Sequence, residues 1–408
     1  MRIMQTSLES VAFQSTQFRD ELTVAMEALD GLDPKKVSDS EQEERLGKLI
    51  REYTGINAAV SFGQHMPAVK VPDINKNHSL INNYVRNYVL GADGLAMLQK
   101  NDGVMRGGID LVRNKVSGVF TEFPVIIVMP VSMLKSNYTA REKAAIVLHE
   151  VGHVFYFYAL MANLATTNQA LESMSKALDQ SGSVEQREVV LLSVKKALKL
   201  DNLNEKELAK STDKKIVEAV VLCSVTQQSR SQLGRSIYDS TGFEYLADQY
   251  AARCGAYRDL VTGLEKLYKG YHNISFRSLP TYMFVEAVKI SFLFFAPLVT
   301  ILLCAMDGND DRYDRPGARM LRIRSQIIEN LKDRDLDKED VVRLEEDLKV
   351  IDQVLEGVND RRQFFGVLWD VLSPSARKDR NYTHLQQELE SLATNDLFAK
   401  AAQLRVTA

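Results

Sequence analysis

Two histidines four residues apart, His149 and His153, bracket a glutamate in the run His149-Glu150-Val151-Gly152-His153. On a helix, residues four apart share a face, so both imidazoles can reach one metal ion. Glu150 then projects beside the ion. There a carboxylate can take a proton from a water held by the ion and return it to a leaving amine. This is the chemistry of metal-assisted hydrolysis. The alternative is a pair of core histidines hydrogen-bonded on a buried face.

A zinc site of this type needs a third protein ligand and one open position. The other histidines, His65, His78, His272 and His384, are isolated, and position 159, where the extended histidine motif has its third ligand, is alanine. A carboxylate on a second helix is therefore expected. Glu244 and Asp248 are four apart and share a face, in a stretch whose Ala247, Ala251 and Ala252 permit close packing on the histidine helix. Glu244 could bind the ion, and Asp248 could accept the outer N–H of a ligating histidine. Glu244 could equally close a capping box with Thr241.

The elements that must hold these groups are legible in part. Thr139-Ala140-Arg141-Glu142 has the form of a capping box and predicts a helix starting at Ala140. The apolar run from Ala144 to Leu160 continues it, with Gly152 the one breaker. A glycine inside a helix costs roughly 1 kcal/mol against alanine, which points to a close approach there. Gly107 to Val131 is the best strand region, and Ala58 to Pro72 reads as two short strands around a turn. Asn75 to Gln99 and nearly everything after Thr139 read as helix, with Ile323 to Leu355 a charged pair forming a surface hairpin. The fold class is α+β, mostly α-helical. Three regions are expected: a helical region 1–105 with a short β-hairpin, a catalytic domain 106–324 with a helical insertion 165–235, and a helical region 325–408.

Composition bounds the rest. The chain has 408 residues, 51 Lys and Arg against 54 Asp and Glu, and a net charge of −3, so nucleic acid is not an expected partner. With 45% hydrophobic and 26% charged residues it is ordinary for a globular protein, not a disordered one. Cys223, Cys254 and Cys304 are far apart and odd in number, which fits a reducing, cytoplasmic compartment. The N-terminus has no secretory pattern. Ile290 to Met306 is uncharged, at the lower edge of what can span a bilayer. A buried core helix broken near Pro297 is favoured over membrane contact, and a soluble protein is expected.

The run H-E-x-G-H, followed much later by E-x-x-A-D on an alanine-rich helix, resembles the gluzincin metallopeptidases of the HtpX and CAAX-prenyl-endopeptidase type. The general look is also similar to peptidase-like proteins of large tailed phages, which would make the protein virion-associated. The gluzincin resemblance covers roughly Gly107 to Arg324. It implies a zincin-like domain in which Zn2+ is held by His149, His153 and Glu244, with Glu150 as general base and Asp248 behind a ligating histidine. It also implies a protein or peptide substrate, its backbone held by an edge strand before the catalytic helix. Phe123 to Val131 is in the right place to be that strand, with an ordinary buried strand as the alternative. The family's His-Pro pair and following arginine find their nearest match in Arg315-Pro316, with Arg319 and Arg322 downstream. Arg322, one residue off the family's spacing, is assigned to the oxyanion, with Arg319 as the other candidate and a solvated basic helix start as the alternative for both. The resulting expectation is a zinc endopeptidase. The rival from a different class is a structural or assembly protein that retains zinc for stability.

Overall fold

The computed structural model describes residues 16–30, 41–63, 67–70, 107–110, 113–135, 137–198, 200, 202–233, 240–270, 278–295, 316–332 and 336–358. In chain order these form α1 (Gln17–Glu27), α2 (Glu41–Thr54), β1 (Ala58–Gly63), β2 (Ala68–Lys70), β3 (Gly107–Asp110), β4 (Lys115–Gly118) and β5 (Val125–Pro130). The short α3 (Ser132–Lys135) leads into α4 (Ala140–Gln180), followed by α5 (Val184–Leu198), α6 (Glu205–Leu208) and α7 (Lys214–Leu233). The chain continues with α8 (Ser240–Arg253), α9 (Tyr257–Gly270), α10 (Leu279–Phe295), α11 (Pro316–Leu331) and α12 (Lys338–Glu356). The protein is thus mostly helical with a small sheet. The expected helix Asn75 to Gln99 and the chain after residue 358 lie outside the described residues, as do His65, His78, His272 and His384.

The capping box at Thr139 forms as the sequence predicts. Thr139 Oγ1 accepts from the Glu142 N–H at 3.2 Å, and Glu142 Oε2 accepts from the Thr139 N–H at 2.8 Å. Two orphan donors are thereby satisfied where α4 begins. Lys266 Nζ donates to the same Glu142 carboxylate at 2.6 Å and ties α9 to this turn. Lys143, fully buried, pairs with Asp30 just beyond α1. The first half of α4 is apolar nearly all round, and Ala144, Ile146, Leu148, Val151, Phe155 and Tyr158 are all buried.

The sheet differs from expectation. Its order is β1-β5-β2, so β1 and β2 are not hairpin partners but flank β5, the one in parallel and the other antiparallel. The register runs from Ala58 opposite Val125 to Gly63 opposite Pro130, and Val69 lies opposite Ile127. The strand within Phe123 to Val131 is therefore central, not an edge. The reason is visible in its composition: a continuous apolar run suits a strand covered on both faces and paired on both sides. The short β2 forms the antiparallel edge. A second, separate hairpin joins β3 to β4, with Asn114 at φ 53°, a conformation asparagine tolerates better than most residues.

One core joins α1, α2, the strands, the first half of α4, α9, α11 and α12, from Phe18 to Val354. The expected boundary 324/325 falls inside α11. The charged hairpin of α11 and α12 is correspondingly not a surface appendage, because Ile323, Ile327, Leu344 and Ile351 are buried in it. The insertion begins as a direct continuation of α4. The far end of α4 packs with α5 to α7 around a second core of Met174, Leu178, Leu191, Val194, Leu203 and Val217.

Asp347 on α12 is a buried acid whose burial pushes its carboxyl up to about 6, against the partial offset of Arg258, whose Nε lies 3.8 Å away. The folded state holds this proton more tightly than the unfolded chain. Its contribution therefore worsens as pH rises from about 4 through 6 and is flat above. Asp347→Asn is expected to raise stability at pH 7.5 by about 1–3 kcal/mol and to change it little at pH 4.5. Urea melts of both proteins at the two pH values check this. An equal difference at both would remove Asp347 from the pH dependence.

Candidate metal centre

Helix α4 carries His149 and His153 one turn apart, and α8 carries Glu244 and Asp248 one turn apart. The helices approach closely because small residues meet at the crossing. A Cβ built on Gly152 would lie 2.7 Å from the Ala247 Cα, 2.8 Å from the Tyr250 Cβ and 2.9 Å from the Ala247 oxygen. Ala247, Ala251 and Ala252 are buried. The glycine that weakens α4 as a helix is thus what lets α8 come near enough for its carboxylates to reach the imidazoles.

The crossing brings together His149, His153 and Glu244, whose ligand atoms lie within 4.8 Å of one another. His149 Nε2 is 3.4 Å from Glu244 Oε2, and His153 Nε2 is 3.6 Å from Glu244 Oε1. Ligands held at about 2.0–2.1 Å in a tetrahedron are about 3.4 Å apart, so these separations fit a zinc ion with small adjustments. The two rings meet edge to face with centroids 4.5 Å apart. Asp248 Oδ1 stands 3.0 Å from His149 Nδ1, where it can accept that N–H and leave Nε2 facing Glu244. His149, Glu150 and Asp248 are buried, while His153 and Glu244 are partly exposed, so the cluster opens on one side.

A further residue completes the cluster. Arg319, buried on α11, donates through Nε to Asp248 Oδ2 at 2.6 Å and through Nη2 to Asp248 Oδ1 at 2.7 Å. Its Nη1 lies 2.8 Å from Glu244 Oε2 and 3.0 Å from Tyr268 Oη, and its Nη2 lies 3.1 Å from His149 Nε2, which thus faces both Glu244 and this guanidinium. Glu244 Oε1 remains turned toward His153. The basic residue that reaches the site is therefore Arg319, not Arg322. Arg322 is almost a full turn further along α11, and its guanidinium sits 5.7 Å from the centre of the Tyr245 ring. Sequence reasoning named Arg319 only as the other candidate and missed Tyr268, an isolated tyrosine that no motif marks.

The electrostatics follow from burial and these contacts. Burial pushes the Glu150 carboxyl up to about 7, with the His149 and Arg319 charges opposing and Glu244 adding to the rise. Burial and the Arg319 charge push His149 down, but its hydrogen bonds to Asp248 and Glu244 outweigh them and hold it at about 9. His153, which lacks the aspartate, is pushed down to about 3 by burial and by the charge on His149. Glu244 and Asp248 resist the upward push of burial and lie well below the usual carboxylate range, chiefly through Arg319. Two anionic carboxylates, two imidazoles and a nearly neutral-range acid make a donor set suited to a divalent cation with a base beside it.

Comparison with family models, with curated proteins and with solved structures finds no match.

Proposed function

We propose that the protein is a zinc-dependent endopeptidase acting on protein or peptide substrates. The observation that carries the reading is the convergence of His149, His153 and Glu244, from two distant stretches of chain, with Glu150 buried beside them. Zinc held by these three residues would act as a Lewis acid toward a water and a substrate carbonyl. Glu150 takes the proton as the water oxygen bonds to the peptide carbon. It then delivers that proton to the nitrogen as the C–N bond breaks. Asp248 holds the tautomer and orientation of His149. Arg319 spends its donors on Asp248, Glu244 and Tyr268, and its Nη2 lies against the His149 ring, which supports a positioning role rather than direct contact with the oxyanion. A reducing, cytoplasmic setting suits the unpaired Cys223 and Cys254.

The test is metal analysis of the wild type and Glu244→Ala, together with digestion of a peptide library. The wild type is expected to hold about one zinc per chain and to cut internal bonds. Glu244→Ala is expected to keep its circular dichroism and lose the zinc. Full zinc in that variant would remove the third ligand and the reading with it. A second reading, an assembly protein that keeps zinc for stability, draws support from the separate core of α4 to α7 and the exposed Val189 and Ile216 on its surface. Zinc without cleavage would favour it.

A further inference from the structure

A peptide carbonyl attacked by water becomes a tetrahedral centre whose oxygen carries negative charge. Here that charge would form beside two anionic carboxylates, Glu244 and Asp248. A hydrogen-bond donor aimed at the oxygen is worth more in a site shielded from water than in solvent. Arg319 has already committed its donors. Its Nε and Nη2 grip Asp248, Nη2 also faces His149 Nε2, and Nη1 is shared between Glu244 Oε2 and Tyr268 Oη. The Arg322 guanidinium lies over the Tyr245 ring, and Lys266 Nζ is held by the Glu142 carboxylate at 2.6 Å.

Tyr268 differs in kind from these cations, because a hydroxyl both accepts and donates. Its Oη accepts from Arg319 Nη1 at 3.0 Å, so the hydroxyl hydrogen points away from the guanidinium. Accepting from a cation polarises the O–H bond and makes it a stronger donor. Burial raises the phenol above its ordinary value, so it stays protonated at neutral pH. Its placement follows from the packing of α9. Leu264 and Leu267 are buried and fix the last turn of that helix, and Tyr268 reaches across to Arg319 on α11. Tyr268 is partly exposed, as are His153 and Glu244, whereas Asp248 and Arg319 are buried. Tyr268 therefore belongs to the open side of the cluster, with one guanidinium nitrogen between its hydroxyl and Glu244.

We propose that Tyr268 is a catalytic residue whose hydroxyl donates to the substrate carbonyl oxygen as that oxygen becomes anionic. The phenol keeps its proton, and the stabilisation is a hydrogen bond alone. Glu150 remains the group that takes the proton of the water and gives it to the leaving nitrogen, so no covalent bond to Tyr268 forms or breaks. Arg319 serves both ends of the arrangement: it holds the carboxylates of Glu244 and Asp248, and it orients the tyrosine oxygen. This inference rests on the peptidase reading and supplies the oxyanion donor that Arg319 does not.

The experiment is Tyr268→Phe in the zinc-loaded full chain, with two readouts. One is steady-state cleavage of a peptide found in the library digest. The other is calorimetric titration of the phosphinic analogue of that peptide, whose tetrahedral, anionic group imitates the transition state. The variant is expected to keep its zinc and to lose about 10²-fold in kcat, with KM within about threefold of wild type. The phosphinic peptide is expected to lose affinity by a similar factor. Unchanged kcat, or phosphinic binding that does not weaken, overturns the proposal. So does a loss of zinc, since Tyr268 would then act through Arg319 on Glu244, or a rise in KM at constant kcat. A wild type that holds zinc and cuts no peptide overturns the peptidase reading and this inference together. A wild type and variant that cut equally well remove Tyr268 alone. If the variant fails to fold, 3-fluorotyrosine placed at position 268 keeps the oxygen that Arg319 needs and makes the O–H a stronger donor. Tighter phosphinic binding then supports the role, and unchanged binding overturns it.

Discussion

Glu150→Gln is expected to retain zinc at wild-type stoichiometry while peptide hydrolysis falls by about 10²–10⁴-fold. The amide matches the carboxyl in size, so the buried position beside His149 and Glu244 is preserved. What is lost is the ability to accept a proton. Burial pushes the Glu150 carboxyl up to about 7, and the charge of a bound cation would lower it from there. Because the base works in its deprotonated form, wild-type kcat/KM should drop as pH falls, with the acid limb at or below about 7. Metal analysis and a quenched-peptide assay on the same preparations check both halves. Unchanged hydrolysis would take Glu150 out of the mechanism. Lost zinc would mean that the variant reports on the fold and not on the base.

Gly152→Ala should damage both stability and metal binding through a single added methyl. Alanine favours a helix over glycine by about 1 kcal/mol, so propensity alone promises a gain. The new methyl would instead meet backbone atoms of Ala247 and the Cβ of Tyr250 at 2.7–2.9 Å, none of which is the end of a flexible side chain. Helix α8 must move away, and Glu244 moves with it. The net expectation is destabilisation by about 1–3 kcal/mol and at least tenfold weaker zinc binding. Urea melts and a competitive zinc titration measure the two effects. A variant that is more stable and binds zinc normally would show that the crossing does not set the metal geometry.

How much of this could be read beforehand depends on the range of the interaction. The helix start at Thr139, the shared face of His149 and His153, and the need for Gly152 are local, and the chain spells them out within a few residues. Glu244 stood level between ligand and cap on spacing alone. Its proximity to the imidazoles comes from a crossing between helices ninety-odd residues apart in sequence, which no local pattern encodes. The choice of Arg319 over Arg322 is of the same kind. Both are basic residues near one helix start, and only the rotational phase of α11 against α8 decides which faces Asp248. The central place of β5 has a local signal, because the unbroken apolar run Val125 to Met129 matches a strand paired on both sides. Strand order itself is long-range and stayed out of reach. The length of α4 was missed for a simpler reason: its apolar surface ends near Leu160, while nothing in the sequence stops the helix before Ser181.

That length has a mechanical consequence. The imidazoles and the second core are mounted on one continuous rod, and from His153 to Gln180 it measures about 40 Å at 1.5 Å per residue. The tight contact of Gly152 with Ala247 acts as its fulcrum. A load applied to α5, α6 or α7 becomes torque at the histidines, so a force on the distant arm bears directly on how far they stand from Glu244.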